Sequence, residues 1–434
     1  MPLNARLFIW FRLLFNCRFY YPIFTVLFLD LGLSIGEFAA LNVVWALTIV
    51  LLEVPSGALA DQIGRRALVV ASGWLMVAEM AVLCLMPVGN HDVVLWLFVV
   101  NRVLSGAAEA AASGADEALT YDSLPPDERP TLWPRIMAKL SRASAIGFII
   151  TSISGGLLYD HGKVSAALTW LGFAAPDRAW TMKIPLVLNF IAGVVCLLVT
   201  LRMTEPPSET PAPRQGWWPE AKQAFLRIWE TGGWIWKSQA AFTLILLGVV
   251  FDSIIRLFLT VTSNFYRLVG VTEAWYGVIG TVSSLLALAS SGLMERMTTQ
   301  GSLRGNFIWL TLATFAGLCF AAYPQPGFVG VALVVPLMLS MRFLQFFLSF
   351  YLNEIVDSTR RATALSFRGL TINLAYGLMT LLFGWHTQWY QHRLDLPAED
   401  IRAFAASLTW WPWWFLGTLA AALLWIRLRR KAAV

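Results

Sequence analysis

The chain is poor in charged residues, in histidine and in cysteine. Asp, Glu, Lys and Arg make up 13% of its 434 residues, against ~25% in an ordinary soluble domain. The four histidines, which fall in loops or at the ends of apolar runs, are too few and too scattered to predict a metal site. The four cysteines lie inside apolar runs, which predicts small buried side chains and no disulfide framework.

Sequence motifs for nucleotide-driven or zinc-dependent chemistry are also missing. The sequence contains no phosphate-binding loop of the form G-x-x-x-x-G-K-[ST] and no H-E-x-x-H pair of zinc ligands. ATP-driven pumping and metallopeptidase activity therefore have no residues to support them. We expect a protein that is not an enzyme and that needs no cofactor.

The chain is rich in long apolar stretches. Hydrophobic residues make up 58% of the sequence, and the mean hydropathy is +0.64. Stretches of ~20 mostly apolar residues, long enough to cross the hydrocarbon layer, recur along the whole chain. They predict an all-α integral membrane protein with 12 transmembrane helices, at about 14–34, 37–60, 67–87, 93–122, 136–159, 181–202, 239–267, 273–294, 305–323, 327–355, 362–385 and 404–427.

A polar, proline-rich stretch separates the first six predicted spans from the last six. It predicts an N-terminal bundle over 1–202, a cytoplasmic linker over 203–236 and a C-terminal bundle over 237–434. Within the linker, aromatic residues from Trp217 to Trp229 alternate with Lys222 and Arg227 at near-helical spacing. This pattern favours a short helix in the membrane interface, with a disordered linker as the alternative.

Lys and Arg are distributed unequally between the two sides of the predicted spans. With both termini in the cytoplasm, 20 of these residues lie on the cytoplasmic side and six on the outer side. Because cytoplasmic loops retain positive charge, the count predicts this orientation. The net charge of +6 is then a consequence of topology, and no nucleic-acid partner is expected.

The segment between the second and third predicted spans has a specific pattern, Gly57-Ala58-Leu59-Ala60-Asp61-Gln62-Ile63-Gly64-Arg65-Arg66. It resembles the G-x-L-A-D-x-x-G-R-R signature of major facilitator superfamily (MFS) transporters, which consist of two pseudo-symmetric six-helix bundles. In that family the loop latches the cytoplasmic side against an acid at the end of the fourth helix, where Asp122 stands. The resemblance implies a conformational gate made of Gly57, Asp61, Gly64, Arg65, Arg66 and Asp122.

Elementary chemistry offers a role for the residues of this loop. Gly57 would let two helices approach closely, Gly64 would permit a tight turn, and Asp61 would face the positive end of a neighbouring helix. A simple turn carrying cytoplasmic arginines is the alternative. That alternative accounts for Arg65 and Arg66 but not for the full spacing.

Further matches to the same family are partial. Arg102 to Gly106 resembles an R-x-x-x-G motif linked to proton coupling. The antiporter motif of the fifth helix is incomplete, because Thr151 and Ser152 stand in place of its central Gly-Pro. The segments Glu53–Gly57 and Asp116–Asp122 resemble a bacterial 12-helix branch of drug exporters, which implies the bacterial inner membrane and slightly favours export.

Charged side chains inside the predicted spans are the best guide to chemistry. Each costs ~2.5–3.5 kcal/mol at the bilayer centre unless it is paired or wetted, so several of them are expected to face a polar cavity. On the fourth span, Arg102, Glu109 and Asp116 are seven residues apart and are predicted to share one helical stripe. The full set is Arg18, Arg102, Arg142, Arg256, Arg342, Arg368, Glu53, Glu79, Glu109, Asp116, Glu117, Asp252 and Glu354.

Two arginines occupy equivalent positions in the two halves. Arg18 and Arg256 each lie fourteen residues before a glycine that follows the first and the seventh span. They are either structural ion pairs, as the i, i+4 spacing of Asp252 and Arg256 allows, or a twin clamp on an anionic solute. Similarly placed arginines hold the substrate in organophosphate transporters of the resembling superfamily.

These observations predict a secondary active transporter of a small anionic or zwitterionic organic solute, which works as a monomer in a lipid bilayer by alternating access and is coupled to protons. The alternatives are a multidrug antiporter for hydrophobic compounds, a lipid flippase and a transporter-like receptor. The predicted substrate-binding residues are Arg18, Arg256, Glu109, Asp252, Tyr20 and Tyr21. The predicted proton-coupling residues are Arg102, Glu109, Glu53 and Asp116.

Overall fold

The regular structure of the chain is helical throughout the part that is described. A computed structural model describes residues 1–87, 89–206, 217–356, 358–397 and 400–432, and no strand occurs among them. Within these residues, nine helical segments are long and apolar enough to cross a membrane. They are Ile35–Gly57, Arg65–Cys84, His91–Asp122, Pro126–Tyr159, Arg178–Leu201, Gln239–Thr260, Glu273–Thr299, Leu303–Ala322 and Gly327–Ile355. The all-helical class is confirmed, and the count of 12 stays a prediction.

The helices follow one another with short connections. The first half contains α1 (Leu3–Asn16), α2 (Phe24–Asp30), α3 (Ile35–Ile63), α4 (Arg65–Cys84), α5 (His91–Ala112), α6 (Ala115–Asp122), α7 (Arg129–Tyr159), α8 (His161–Trp170) and α9 (Arg178–Leu201). The remainder contains α10 (Trp217–Lys237), α11 (Gln239–Thr260), α12 (Thr262–Leu268), α13 (Tyr276–Ala289), α14 (Ser291–Thr299), α15 (Leu303–Ala322), α16 (Gly327–Ile355), α17 (Ser358–Arg393), α18 (Ile401–Leu408) and α19 (Trp411–Ala432).

The first predicted span is interrupted where the sequence predicted one continuous helix over 14–34. Helix α1 ends at Asn16, a 3-10 turn covers Tyr21–Ile23, and α2 begins at Phe24. Pro22 lies in the turn, where it has no backbone N–H to donate and disfavours helical conformation in the residue before it. The interruption leaves Arg18 between the two helices.

The fourth predicted span is interrupted as well. Helix α5 ends at Ala112, and α6 begins at Ala115. Between them Gly114 has a φ of +74°, in the left-handed region that favours glycine. Arg102 and Glu109 lie on α5 but Asp116 lies on α6 beyond this turn, so the prediction that all three share one continuous helical stripe is wrong.

The chain forms two compact units. The first consists of Met1–Leu33, Val44–Phe225 and Glu273–Thr281. Its main core cluster joins α1, α4, α5, α6 and α9 through buried residues that include Phe11, Phe15, Val69, Met76 and Leu119. The packing of α7 and α9 against α1 fixes the helix from which the Arg18 segment continues.

The second unit consists of Ser34–Val43, Leu226–Thr272 and Val282–Val434. Its core is aromatic, since Phe251 of α11 contacts Phe307 of α15 and Phe415 of α19 at ring-centroid distances of 5.8 and 5.1 Å. The predicted boundaries at 1–202, 203–236 and 237–434 stay a prediction. The linker segment from Trp217 is helical as α10, and its position in the membrane interface also stays a prediction.

Candidate functional site

Arg18 lies in the irregular segment between α1 and α2, whose backbone is held by neighbouring helices. The backbone N–H of Phe19 donates to Asn189 Oδ1 of α9 at 2.9 Å. The Phe19 carbonyl lies so close to Gly155 of α7 that a Cβ there would collide with it. Non-helical backbone at membrane depth requires such protein partners, because lipid offers no hydrogen bonds. The break between α1 and α2 is therefore a fixed structural feature.

The Arg18 guanidinium forms a buried ion pair with Glu79 of α4. Its Nη1 lies 2.7 Å from Glu79 Oε1, and the two side chains are 4% and 0% exposed. Nη1 also donates to the Tyr20 hydroxyl at 3.1 Å, and Nε donates to the Phe15 carbonyl at 3.2 Å. Glu79 lies inside a predicted span, but its pairing with Arg18 could not be predicted from the sequence, since no spacing links residues 61 positions apart.

Glu109 of α5 lies in the electrostatic field of two arginines that are already paired. Arg18 and Arg12 are the positive charges that act on its carboxylate, and it has no hydrogen bond within the described residues. Arg12 itself pairs with the buried Asp116 of α6. Glu109 is only partly buried. Its carboxylate therefore has positive neighbours without a fixed partner.

The two predicted tyrosines differ in exposure. Tyr20 is buried and takes part in the Arg18 network, whereas Tyr21 is 43% exposed. Their rings meet edge to face with centroids 5.4 Å apart. Tyr21 is therefore the one that can contact a solute directly.

The other predicted proton-coupling residues have separate partners. Arg102 donates to Asn101 Oδ1 at 3.0 and 2.8 Å, and its guanidinium lies over the rings of Phe24 and Phe28. Glu53 is exposed and accepts a hydrogen bond from Ser113 Oγ at 3.3 Å. The structure therefore does not bring Arg102 and Glu53 into the Arg18 network through any direct hydrogen bond within the described residues.

In the second unit, Arg256 of α11 pairs with Asp252 one turn earlier, as the i, i+4 spacing allows. Arg256 Nη2 donates to Asp252 Oδ1 at 2.9 Å, and Nη1 donates to Asn373 Oδ1 of α17 at 2.8 Å. The guanidinium also lies over the Tyr376 ring, 5.3 Å from its centroid. Arg256 is thus held from three sides by residues of its own unit.

A cavity of about 440 Å³ opens beside this pair. Among its lining residues, Arg368 of α17 faces the same space as Arg256 and Asp252. The Nε and Nη1 atoms of Arg368 are buried and have no hydrogen-bond partner within the described residues. Sequence analysis counted Arg368 among the arginines of the spans without assigning it to a site. The full lining is Asp252, Arg256, Gln345, Leu348, Ser349, Arg368, Gly369, Ile372 and Asn373.

The backbone that follows Gly64 is hydrogen-bonded to the segment that follows α9. The backbone N–H groups of Arg65 and Arg66 donate to the two carboxylate oxygens of Glu205 at 3.0 and 2.7 Å. Gly64 has a φ of +95°, and a Cβ on it would lie 3.0 Å from Glu205 Oε2. Glu205 was not identified from the sequence, because it lies 140 residues from Arg65.

The arginines of the same segment also find partners in the first unit. The Arg65 guanidinium contacts the Asp122 carboxylate at the end of α6. Arg66 Nε donates to the Met203 carbonyl at 2.6 Å. The side chain of Asp61 lies outside the described part of the chain. A Cβ on Gly57 would meet no atom of the described residues within 4 Å, so the close approach of two helices expected at Gly57 is not found among them.

Comparisons with known proteins agree on one family. The sequence model of the Major Facilitator Superfamily matches residues 8–351. No curated relative matches the chain. Among solved structures, a bacterial homologue of the human lysosomal transporter Spinster is similar with a TM-score of 0.71 at 15% identity, covering 98% of this chain and 98% of that one.

Two other solved structures are similar at comparable identity. The nucleoside transporter NupG has a TM-score of 0.69 at 14% identity, covering 98% of this chain and 99% of that chain. A D-xylose-proton symporter has a TM-score of 0.61 at 16% identity, with coverage of 96% and 94%. At these identities the likeness extends to the fold alone.

Proposed function

The chain belongs to the Major Facilitator Superfamily, and from that premise we propose that it carries a small anionic or zwitterionic organic solute by alternating access, coupled to protons. Membership of the family, together with the apolar helices, makes the chain an integral membrane protein and a secondary transporter that is not an enzyme. Transporters of this family bind small-molecule substrates within the membrane. The proposal therefore concerns which solute and which coupling ion.

The observation that carries the proposal is the charge of the cavity in the second unit. Two arginines and one carboxylate line it, and one of the arginines, Arg368, has two buried donor atoms without an acceptor in the part of the chain that is described. Guanidinium groups bind carboxylate and phosphate groups with directed hydrogen bonds and keep their charge at any physiological pH. An uncharged hydrophobic drug would gain little from such a lining.

For coupling, we propose Glu109 as the group that gains and loses a proton. A carboxylate that lies close to arginines without a fixed partner can be protonated without breaking a hydrogen-bonded pair. The neighbouring Arg18 would bind the solute or Glu109 in turn. Asp116 and Glu53, which have partners of their own, are weaker candidates.

We further propose export as the direction, a monomer as the working form and a bacterial inner membrane as the location. The gate is assigned to the segment from Gly57 to Arg66 together with Asp122. In this assignment, Asp61→Asn impairs transport but leaves membrane insertion intact. Insertion is measured by the yield of monodisperse protein from the membrane fraction, and wild-type transport in this variant would count against the gate.

A solute screen followed by flux measurements tests the function as a whole. Purified protein is screened by thermal shift against organic anions, zwitterions, sugars, nucleosides and hydrophobic cations. We expect anions or zwitterions to stabilise it, because a ligand that binds only the folded state raises the melting temperature. Hits are then followed in proteoliposomes with an imposed pH gradient. Stabilisation and flux confined to hydrophobic cations would favour a multidrug exporter instead.

The predicted clamp has its own test. Arg18→Lys keeps the positive charge but loses the planar fork of donors, so we expect weaker solute binding. Solute affinity is measured by titration calorimetry on the purified variant. Wild-type affinity in Arg18→Lys would leave Arg18 as a structural partner of Glu79.

A further inference from the structure

Resting on the proposed function, we infer that Arg368 anchors the acidic group of the solute, and that the cavity of the second unit is a subsite for a single carboxylate, phosphate or sulfonate group. The sequence directed attention to Arg256 because of its repeat-related position. The structure distributes the hydrogen-bond donors differently. Arg256 is occupied by partners, whereas Nε and Nη1 of Arg368 have none among the residues that the structure describes.

The donors of Arg256 are already in use. It donates to Asp252 and to Asn373, and its flat face lies on the Tyr376 ring. A solute that recruited Arg256 would have to displace at least one of these partners. Arg256 therefore acts to neutralise Asp252 and to hold α11 against α17.

Two donor atoms of Arg368 are buried without an acceptor in the described part of the chain. Nε and Nη1 have no hydrogen-bond partner among the described residues, although both are shielded from solvent. Native proteins pair nearly all buried polar groups, so each exception calls for an explanation. Both atoms belong to a residue that lines a cavity, and an acceptor supplied by a bound solute would satisfy them.

The charge of the cavity limits the class of ligand. Arg256 and Asp252 form a pair, which leaves the charge of Arg368 as the excess of one positive unit in the lining. Gln345, Ser349 and Asn373 offer neutral polar groups, and Leu348 and Ile372 offer apolar surface. The volume of about 440 Å³ is within the range of small-molecule pockets. A monoanionic organic molecule fits this combination.

The test uses full-length protein in detergent with benzoate and inorganic phosphate as probes, and with benzyl alcohol and benzylammonium as neutral and cationic counterparts of benzoate. Binding is measured by calorimetry on the wild type, Arg368→Gln, Arg368→Lys and Arg342→Gln. The last variant is the matched control, because Arg342 lies exposed on α16 outside the cavity lining. We expect at least one of the two anions to bind to the wild type and to Arg342→Gln alike, with the counterparts not binding.

The response of the Arg368 variants decides between the possibilities. In Arg368→Gln we expect at least a tenfold loss of anion affinity, and in Arg368→Lys a partial loss, because the charge remains without the planar fork. Unchanged anion affinity in Arg368→Gln overturns the inference. So does failure of both anions to bind the wild type, or equal binding of benzyl alcohol, which would show that the aromatic ring alone is recognised.

A second pair of variants separates anion binding from a purely structural role. Asp252 and Arg368 line the same cavity, so Arg368 could serve only to balance the charge of Asp252. In Asp252→Asn that carboxylate is gone, and a loss of anion affinity when Arg368→Gln is added to it reports anion binding by Arg368 itself. We expect the double variant to bind the anion at least tenfold more weakly than Asp252→Asn, and equal affinity of the two proteins contradicts the inference.

The inference and the proposed function can fail separately. Anion binding that depends on Arg368, together with flux of neutral or cationic solutes only, would retain the subsite and overturn the proposed substrate class. Flux of an organic anion with unchanged affinity in Arg368→Gln would retain the proposed function and overturn the subsite.

Discussion

A guanidinium buried among apolar helices needs a carboxylate, and Arg18 has one in Glu79. Both side chains are almost fully removed from solvent, and the pair is supported by the Tyr20 hydroxyl and the Phe15 carbonyl. Replacing one member of a buried pair leaves an uncompensated charge, which costs more than the pair contributes as a whole. The Arg18 network is therefore sensitive to single changes and more tolerant of paired ones.

We predict that Glu79→Gln destabilises the protein by about 3–5 kcal/mol, since it leaves the Arg18 charge buried without a counter-charge. The double variant Arg18→Gln with Glu79→Gln should recover part of this loss. Thermal unfolding of the purified proteins in one detergent, followed by tryptophan fluorescence, measures both effects. If the double variant were as unstable as the sum of the single ones, the two residues would not act as a pair.

At the residue scale, local pairs were predictable and distant ones were not. The Asp252–Arg256 contact follows from the i, i+4 spacing on one helix, and the structure shows it. Glu79 is the partner of Arg18, and Glu205 is the partner of the Arg65 backbone. Because each pair is far apart in the sequence, only the packing of α1, α4 and α9 brings its members together. Arg368 could be recognised as costly inside a span, but the sequence could not show that its Nε and Nη1 atoms are buried without a hydrogen-bond partner among the described residues.

The irregular segment between α1 and α2 packs against helix α7. Gly147 admits Leu13 and Cys17, and Gly155 admits the Phe19 carbonyl, at distances that a Cβ would not allow. Gly147 and Gly155 thus have a packing role. Close contact between helix and irregular backbone positions Arg18.

We expect Gly155→Ala to destabilise the protein by about 1–3 kcal/mol or more, because the new methyl group meets a backbone carbonyl that cannot move independently of the segment around it. Gly57→Ala is the matched control. Gly57 lies inside α3 with open space around it, so alanine there should be neutral or stabilise by about 0.5–1 kcal/mol. Melting temperatures of both variants check the contrast, and equal effects would argue against the predicted contact.

The N-cap position of helix α4 is occupied by a residue that has no side chain to cap it. Gly64 precedes the helix and has no side chain, so the first N–H groups receive the Glu205 carboxylate instead. The negative charge of Glu205 also interacts favourably with the positive, N-terminal end of the dipole of α4. The end of α9 and the start of α4 are thereby fixed to each other.

We predict that Glu205→Ala loosens this end of α4 by about 0.5–2 kcal/mol, the usual cost of a lost cap. The local signature is faster hydrogen exchange at the amides of Arg65 and Arg66. Glu230→Ala, which removes an exposed carboxylate of α10, should leave these amides unchanged. Unaltered exchange in Glu205→Ala would show that solvent caps the helix equally well.

At the scale of elements, hydropathy predicted where the apolar helices lie but not where they break. Length and composition were enough to predict segments such as α4 and α9, because a helix needs a minimum apolar length to span a membrane. The breaks at Arg18 and at Gly114 are stabilised by contacts with other helices, which periodicity cannot reveal. The break at Gly114 separates Asp116 from Arg102 and Glu109, so the single stripe predicted for the three residues was wrong.

For the whole molecule, the sequence supported the family and the class of protein, while the assignment of coupling depends on the arrangement around Arg18. In an alternating-access transporter, the two translocating states must differ in both solute and proton occupancy, or else the gradient does no work on the solute. Glu109 is suited to this role, because Arg18 and Arg12 act on it without a fixed hydrogen bond.

We therefore predict that Glu109→Gln abolishes accumulation of solute driven by a pH gradient in proteoliposomes but retains exchange of solute at equal pH. A permanently neutral side chain would still permit the loaded carrier to change conformation, but no proton would be carried with it. Glu128→Gln, an exposed carboxylate before α7, should behave like the wild type in both assays. Accumulation at the wild-type level in Glu109→Gln would remove Glu109 from the coupling mechanism, and loss of exchange as well would make it a solute-binding residue. The two assays together therefore separate movement of the carrier from movement of the proton.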